Sequence, residues 1–346
     1  MNYFNDEDYA TKKSLYINNI KQLSRWIWRE ELLDENIEDW LSNFKGIVDG
    51  NKEHEDLNVL FLLKQYMFFS IVEVREMLSS LYVSKFYKPI LHKLRKDSST
   101  DDLEKLKELY NRELSQTRFL GIGNPSESSS LILYFFRQVN NLEKNLFCNI
   151  QDLFLFENNT NISGLTTNSA GELINNYVFI DDLTGSGEQA SDFFIGNDDV
   201  QTLDIYNKIK DFNSNANIYY LTLFSTEEAR RAFINKGLSD IHIESIFLLD
   251  ETYKVFSDES RYFPKLIDEP EPRSAHQVEK MYSKKISECY YPQFSLNDGF
   301  MYGYKNSQLL LSFFYNTPDN TLPKFWAESD NWISMFKRFH KLYGGG

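Results

Sequence analysis

Cysteine is almost absent: Cys148 and Cys289 are the only two among 346 residues. That excludes a disulfide framework, and neither sits in a C-x-x-C spacing that would hold a structural metal. Thiols this sparse suit the reducing interior of a cell, so a cytoplasmic protein is expected. Positive charge is in deficit as well. Lys and Arg number 37 against 51 Asp and Glu, a formal charge of −14. Duplex affinity rests on cations that neutralise phosphates, so no broad nucleic-acid surface is expected, although a local basic patch is compatible with the total. Long apolar runs are missing too. The most apolar stretch, VLFLLKQYMFFSIV at 59–72, is too short to span a bilayer and is broken by Lys64 and Gln65. No membrane partner is expected. Residues 1–13, MNYFNDEDYATKK, lack the basic-then-apolar order of a signal peptide.

What the chain does have is apolar and aromatic. Hydrophobic residues make up 42% and aromatics 16%, a composition that excludes a disordered chain. The length allows a sizeable core in one large domain or two unequal ones.

Residues 10–115 read as helical. Leu15, Ile17, Ile20, Leu23, Trp26 and Ile27 recur at close to a helical period. The segment 59–86 predicts one or two buried helices ending near Pro89. Asp101 with Glu104 predicts a capped start for the helix that follows. Beyond residue 117 the pattern changes to strands alternating with helices. RFLGIG (118–123), YVFID (177–181), NIYYLTLF (217–224) and IHIESIFLLD (241–250) read as strands. DVQTLDIYNKIKDF (199–212) and TEEARRAFINK (226–236) read as helices, the second with a capping box of Ser225 and Glu228 and a stop at Gly237. This alternation implies a parallel α/β sheet flanked by helices. QLLLSFFYN (308–316) predicts one more strand, and SDNWISMFKRFHKLY (329–343) an amphipathic helix. The expected organisation is a helical N-terminal region over 1–115, an α/β domain over 116–326, and a C-terminal helix and tail over 327–346.

The stretch that carries chemistry is YVFIDDLTGSGEQA at 177–190. Ligands of parallel sheets bind beyond the carboxyl ends of strands, where loops open helices. Backbone amides of a glycine-containing turn and a helix N-terminus hold phosphate, and Thr184 and Ser186 add hydroxyl donors. Gly185 and Gly187 permit backbone angles and approaches that a side chain would block. Asp181 and Asp182 would repel phosphate, yet carboxylates accept strong bonds from sugar hydroxyls and help to hold hydrated Mg2+. A ribose phosphate satisfies both halves of the motif. A P-loop would need Lys after Gly187, and a dinucleotide fingerprint a third glycine where Ala190 stands. A plain turn built from Asp and Gly is the other open reading.

VFIDDLTGSG resembles the PRPP-binding motif of type I phosphoribosyltransferases: an apolar strand, two acids, two variable residues, then a Thr/Ser-Thr/Ser-Gly loop. The resemblance implies that Asp181 and Asp182 bind the ribose hydroxyls and assist Mg2+ indirectly. It further implies that Thr184, Gly185, Ser186, Gly187, Glu188 and Gln189 wrap the 5′-phosphate. Gly185 stands where the first Thr is usual, and Glu188 and Gln189 where a small residue and Thr close the loop. With residues 117–138, 224–233 and 304–326, the chain is similar over roughly 60–326 to a phosphoribosyltransferase-like effector family of bacterial antiphage conflict systems, found with retrons and cyclic-nucleotide systems. That resemblance implies a type I phosphoribosyltransferase-like fold and PRPP or a related nucleotide as ligand. Its implied partners are proteins of a defence cassette, including a winged-helix protein and a reverse transcriptase with its structured RNA. A glycosyl transfer or N-glycosidic cleavage is one implied activity; a non-catalytic nucleotide sensor or scaffold of the same fold is the alternative.

GIGNPSES (121–128) suits either a pyrophosphate loop or an ordinary strand-to-helix turn capped by Ser126. In the first case Arg118, Gly121, Gly123, Asn124 and Ser126 contact the ligand, with Arg137 as a further cation. NTPDNTLPKFW (316–326) reads either as a ligand cover, through Asn316, Asn320, Lys324, Phe325 or Trp326, or as a rigid turn anchored by its aromatics. The five histidines show no metal-ligand spacing and are assigned to surface or core, and no G-x-S-x-G or H-E-x-x-H motif occurs.

Overall fold

A computed structural model describes residues 6–32, 34–123, 128–158, 161–196, 203–263, 270–290 and 301–339. The chain divides into two compact units, Met1–Val74 with Asp250–Gly346, and Arg75–Leu249. In chain order the first elements are α1 (Asp6–Trp26), α2 (Asp34–Leu41), α3 (Lys52–Leu63), β1 (Met67–Phe69) and α4 (Ile71–Leu81). A π-helical turn (Tyr82–Tyr87), α5 (Lys88–Ser98), α6 (Leu103–Ser115), β2 (Thr117–Gly121) and α7 (Ser128–Val139) follow. Next come β3 (Phe154–Glu157), β4 (Asn161–Leu165), β5 (Asn176–Thr184), α8 (Glu188–Ile195), α9 (Ile205–Phe212) and β6 (Asn217–Thr226). The series closes with α10 (Glu227–Asn235), β7 (His242–Leu249), α11 (Pro272–Tyr290) and β8 (Leu311–Phe313). The helical N-terminal region is therefore present, with α1 to α3 in the first unit and α5 and α6 in the second. Among the described residues no helix is long and apolar enough to cross a membrane.

Several local expectations need correction. The apolar run at 59–86 is not purely helical: α3 stops at Leu63, and Met67–Phe69 pairs in parallel with Leu311–Phe313. An all-apolar run carries no period, so helix and buried strand look alike in it. Pro89 does not end a helix either: it is the second residue of α5, which continues from the π-helical turn without a break. The caps shift by one residue each. Asp102 caps α6 by accepting from the Glu104 and Lys105 amides, and Thr226 caps α10 by accepting from that of Ala229. The predicted C-terminal helix is not helical through residue 339, and residues 340–343 lie outside the described set. Its apolar residues Trp332, Met335 and Phe336 are buried in an irregular segment instead. That segment's backbone is paired elsewhere: the Met335 and Phe336 amides donate to the Phe325 carbonyl, and Asn43 holds both the amide and the carbonyl of Ile333. The core of this first unit is aromatic, with Trp40 stacked on Phe325 and Phe44 edge-on to both Tyr282 and Trp332.

The second unit carries a four-stranded sheet in the order β2-β5-β6-β7, parallel throughout, with a separate β3–β4 hairpin. Its central strands β5 and β6 are almost continuously buried, as expected for a parallel sheet covered on both faces. One face packs Phe119 against Phe86 and Phe136, from the π-turn and α7. The other packs Phe179 against Phe194 of α8 and Tyr220 against Phe233 of α10.

Candidate functional site

Helix α7 follows β2 and covers one face of the sheet, whereas α8 follows the neighbouring strand β5 and covers the other. Adjacent strands whose helices diverge leave a crevice at their carboxyl ends, the switch point where parallel sheets bind ligands. The acidic motif stands at that crevice. β5 does not stop at the acids but runs through them to Thr184, whereas its pairing with β2 ends at Gly121 opposite Ile180. Beyond Ile180 no described residue of β2 pairs with β5, and the aspartates serve the backbone. Asp181 Oδ1 accepts from the Asp182 amide at 2.9 Å, and Asp182 Oδ1 from the Leu183 amide at 2.7 Å.

Because successive strand residues alternate, the two acids face opposite sides of the sheet. Asp181 shares the α8 side with Phe179, and its Oδ2 accepts the buried Tyr220 hydroxyl at 3.0 Å. Burial first, and then the Asp181 charge, push the Tyr220 hydroxyl well above its usual range, so it stays a donor. Asp182 follows Val178 and Ile180 on the α7 side. The pair thus straddles the strand end and does not close on one bare ion from a single side. It suits sugar hydroxyls and a hydrated Mg2+ held through one carboxylate, the usual manner when phosphates supply the other ligands. Among the described residues no group of three or more His, Cys, Asp and Glu is placed to hold a metal.

The loop is short, with only residues 185–187 between strand and helix. Gly185 is buried and its carbonyl accepts the Thr226 hydroxyl, which also caps α10. Gly187 has φ +74°, and a Cβ there would meet the Ala229 backbone at 2.6 Å. These ties fasten the loop to the next strand-to-helix junction. Thr184 is buried, and the Ser186 hydroxyl lies 3.4 Å from the Glu188 amide. Glu188 opens α8 half-buried, a position that favours an acid, while Gln189 is exposed. Tyr220, Thr226 and Ala229 belong to the site's frame. Sequence reading placed Thr226 at a helix start but had no signal for its bond across to Gly185.

The other candidates divide. Gly121 lies at the end of β2, where a Cβ would stand 3.1 Å from the Ser129 hydroxyl of α7, and exposed Gly123 follows with φ 84°. Asn124 and Ser126 lie outside the described residues. Arg118 is not brought to the crevice: it pairs in register with Tyr177, at the opposite end of the strands, and donates to the Ser115 and Thr117 carbonyls. Burial lowers its pKa. Arg137 sits in the last turn of α7, over Tyr134. In the first unit, Phe325 and Trp326 are core residues, not exposed stacking surfaces. Lys324 is buried in an ion pair with Glu279, Asn320 donates to Ser307, and Asn316 accepts from the Phe339 amide.

Compared with curated proteins, the chain finds no match. The sequence model of one family, PRTase-CE, matches residues 37–338. That span takes in the crevice, its acids and its loop, and the chain belongs to this phosphoribosyltransferase-like family.

Proposed function

We propose that the crevice binds PRPP or a related ribose 5-phosphate nucleotide. The observation that carries the reading is the placement of Asp181, Asp182 and the 185–187 loop together at the switch point between β2 and β5. Asp182 and Asp181 would take the ribose hydroxyls, and the amides opening α8 the 5′-phosphate. Mg2+, bound with the ligand, would neutralise pyrophosphate, with Asp181 and Asp182 assisting indirectly. Phosphoribosyl transfer or N-glycosidic cleavage passes through an oxocarbenium-like state that positioning and fixed charges stabilise, so the site needs no protein nucleophile. The resemblance to antiphage families supports a cytoplasmic role as a defence effector acting on a nucleotide pool beside its cassette partners.

A second reading, a nucleotide sensor without turnover, is favoured by Glu188. Its half-buried carboxylate opens α8 where the phosphate would sit and raises the cost of concentrating further negative charge. Calorimetry with PRPP and MgCl2 tests the shared claim. Wild type should give a saturable heat that Asp182→Ala weakens at least about tenfold, the loss of one charge-assisted contact. No heat from wild type overturns both readings. Binding without pyrophosphate release from any base or nucleotide offered selects the sensor.

A further inference from the structure

The first unit holds a constellation unrelated to the crevice. The Ser274 hydroxyl lies 2.8 Å from Nε2 of His54, and Nδ1 of the same ring lies 2.7 Å from Oδ2 of Asp49. The three residues come from the start of α11, the first turn of α3, and the turn that precedes α3. Each is fixed independently. Asp49 Oδ1 accepts from the Asn51 amide at 3.0 Å, the Asn51 side chain accepts from the His54 amide at 3.1 Å, and α11 carries Ser274 as its third residue.

We infer that Asp49, His54 and Ser274 form a second, nucleophilic site that takes carboxylic esters. Asp49 beside Nδ1 favours the tautomer with its proton there, which leaves Nε2 to accept from Ser274. The His54 and Asp49 side chains retain 34% and 38% of their exposure, and Ser274 is half-buried, so a substrate can reach the group. The first helical bond of α11 runs from Ala275 to the Glu271 carbonyl. The Arg273 and Ser274 amides therefore have no acceptor within the helix, and in the proposed site they would be the donors for an oxyanion.

In the reaction, Ser274 Oγ bonds to the ester carbonyl carbon while its proton passes to His54 Nε2. The tetrahedral adduct collapses, the ester C–O bond breaks, and the same proton leaves on the alcohol. Water then cleaves the acyl–Ser274 bond with His54 as base, giving the acid and restoring the hydroxyl. Asp49 Oδ2 is at ion-pair distance from Nδ1 but off the direction of its N–H, so that the buried Nδ1 makes no aligned hydrogen bond. A histidine whose Nδ1 lacks an aligned carboxylate bond suits an alkoxide leaving group better than an amine, which needs fuller protonation. Esters are accordingly the expected class and amides are not.

The test is covalent labelling of the full chain with an alkyl fluorophosphonate, followed by peptide mass analysis, with folding checked by thermal unfolding. Wild type should gain the phosphonyl mass on Ser274. Ser274→Ala should gain none there, and His54→Gln should label at least about 100-fold more slowly, as for loss of a general base. Folded wild type left unmodified at Ser274, or His54→Gln labelled at the wild-type rate, overturns the site. If His54→Gln does not fold, Asp49→Asn decides: labelling slowed at least about tenfold fits a base that Asp49 supports, and labelling at the wild-type rate shows that His54 only ties α3 to α11.

Discussion

Gly187 and Ala229 meet backbone to backbone: a Cβ on Gly187 would stand 2.6 Å from the Ala229 Cα and 2.8 Å from its carbonyl oxygen. The glycine of the loop is thus required by packing as well as by any ligand. Its φ of +74° adds a second demand, since L side chains rarely adopt it. Gly187→Ala should lose roughly 2 to 4 kcal/mol, combining left-handed strain with overpacking against rigid backbone. The urea midpoint of the variant measures this. A midpoint equal to wild type would mean that α8 and α10 separate at little cost.

Lys324 and Glu279 form an ion pair with almost no solvent contact, and Ser283 donates to the second Glu279 oxygen. Burial lowers the lysine pKa while Glu279 raises it. Removing one partner strands a charge in the core, so Lys324→Met or Glu279→Gln alone should cost about 3 to 5 kcal/mol. The double variant should cost less than the two singles summed, because neither charge is then left alone. Additive losses in denaturant unfolding would show the charges to be uncoupled.

Tyrosine burial sets an alkaline limit. Burial raises the Tyr219 hydroxyl from 10.0 to about 12, and it pushes those of Tyr66, Tyr177, Tyr220 and Tyr262 higher still. A phenol whose folded pKa exceeds its unfolded value contributes stability that is complete below the unfolded value and is lost as pH rises toward the folded one. Stability should therefore hold up to about pH 10 and fall steeply between about 10 and 12. Phenolate absorbance should appear in two steps, exposed rings first and the buried set on unfolding. A single step centred near pH 10 would contradict the burial.

The β/α alternation after residue 117 is legible because β2, β5 and β6 are each followed by a helix with its own apolar period. The position of the acids and the loop is legible for the same reason, being local to one strand-to-helix junction. The place of Arg118 is not legible, because a strand has two ends and only the register with Tyr177 shows that this residue stands at the end away from the crevice. The pairing of β1 with β8 and the irregular course of 329–339 depend on partners far away in sequence, such as Asn43 with Ile333. Ser274 and His54 are 220 positions apart, beyond the reach of any motif scan.

The alternation that sends Asp181 and Asp182 to opposite faces assigns them unequal tasks. Asp181 is held by the Tyr220 hydroxyl at 3.0 Å, deep on the α8 side, so the direct route from Tyr220 to a sugar hydroxyl runs through Asp181. Asp182 lies on the α7 side, beyond the last residue of β5 that pairs with β2. If both acids hold ribose, Tyr220→Phe should raise the Kd for PRPP with Mg2+ about fivefold, the worth of one hydrogen bond of about 1 kcal/mol. Asp182→Asn should raise it at least about tenfold with little change in Tm, since the asparagine keeps an oxygen for the Leu183 amide. Coupling separates positioning from packing: combined with Asp181→Asn, Tyr220→Phe should add almost nothing to the loss of affinity. A full fivefold loss in that background would show that the phenol acts on the crevice by packing rather than through Asp181.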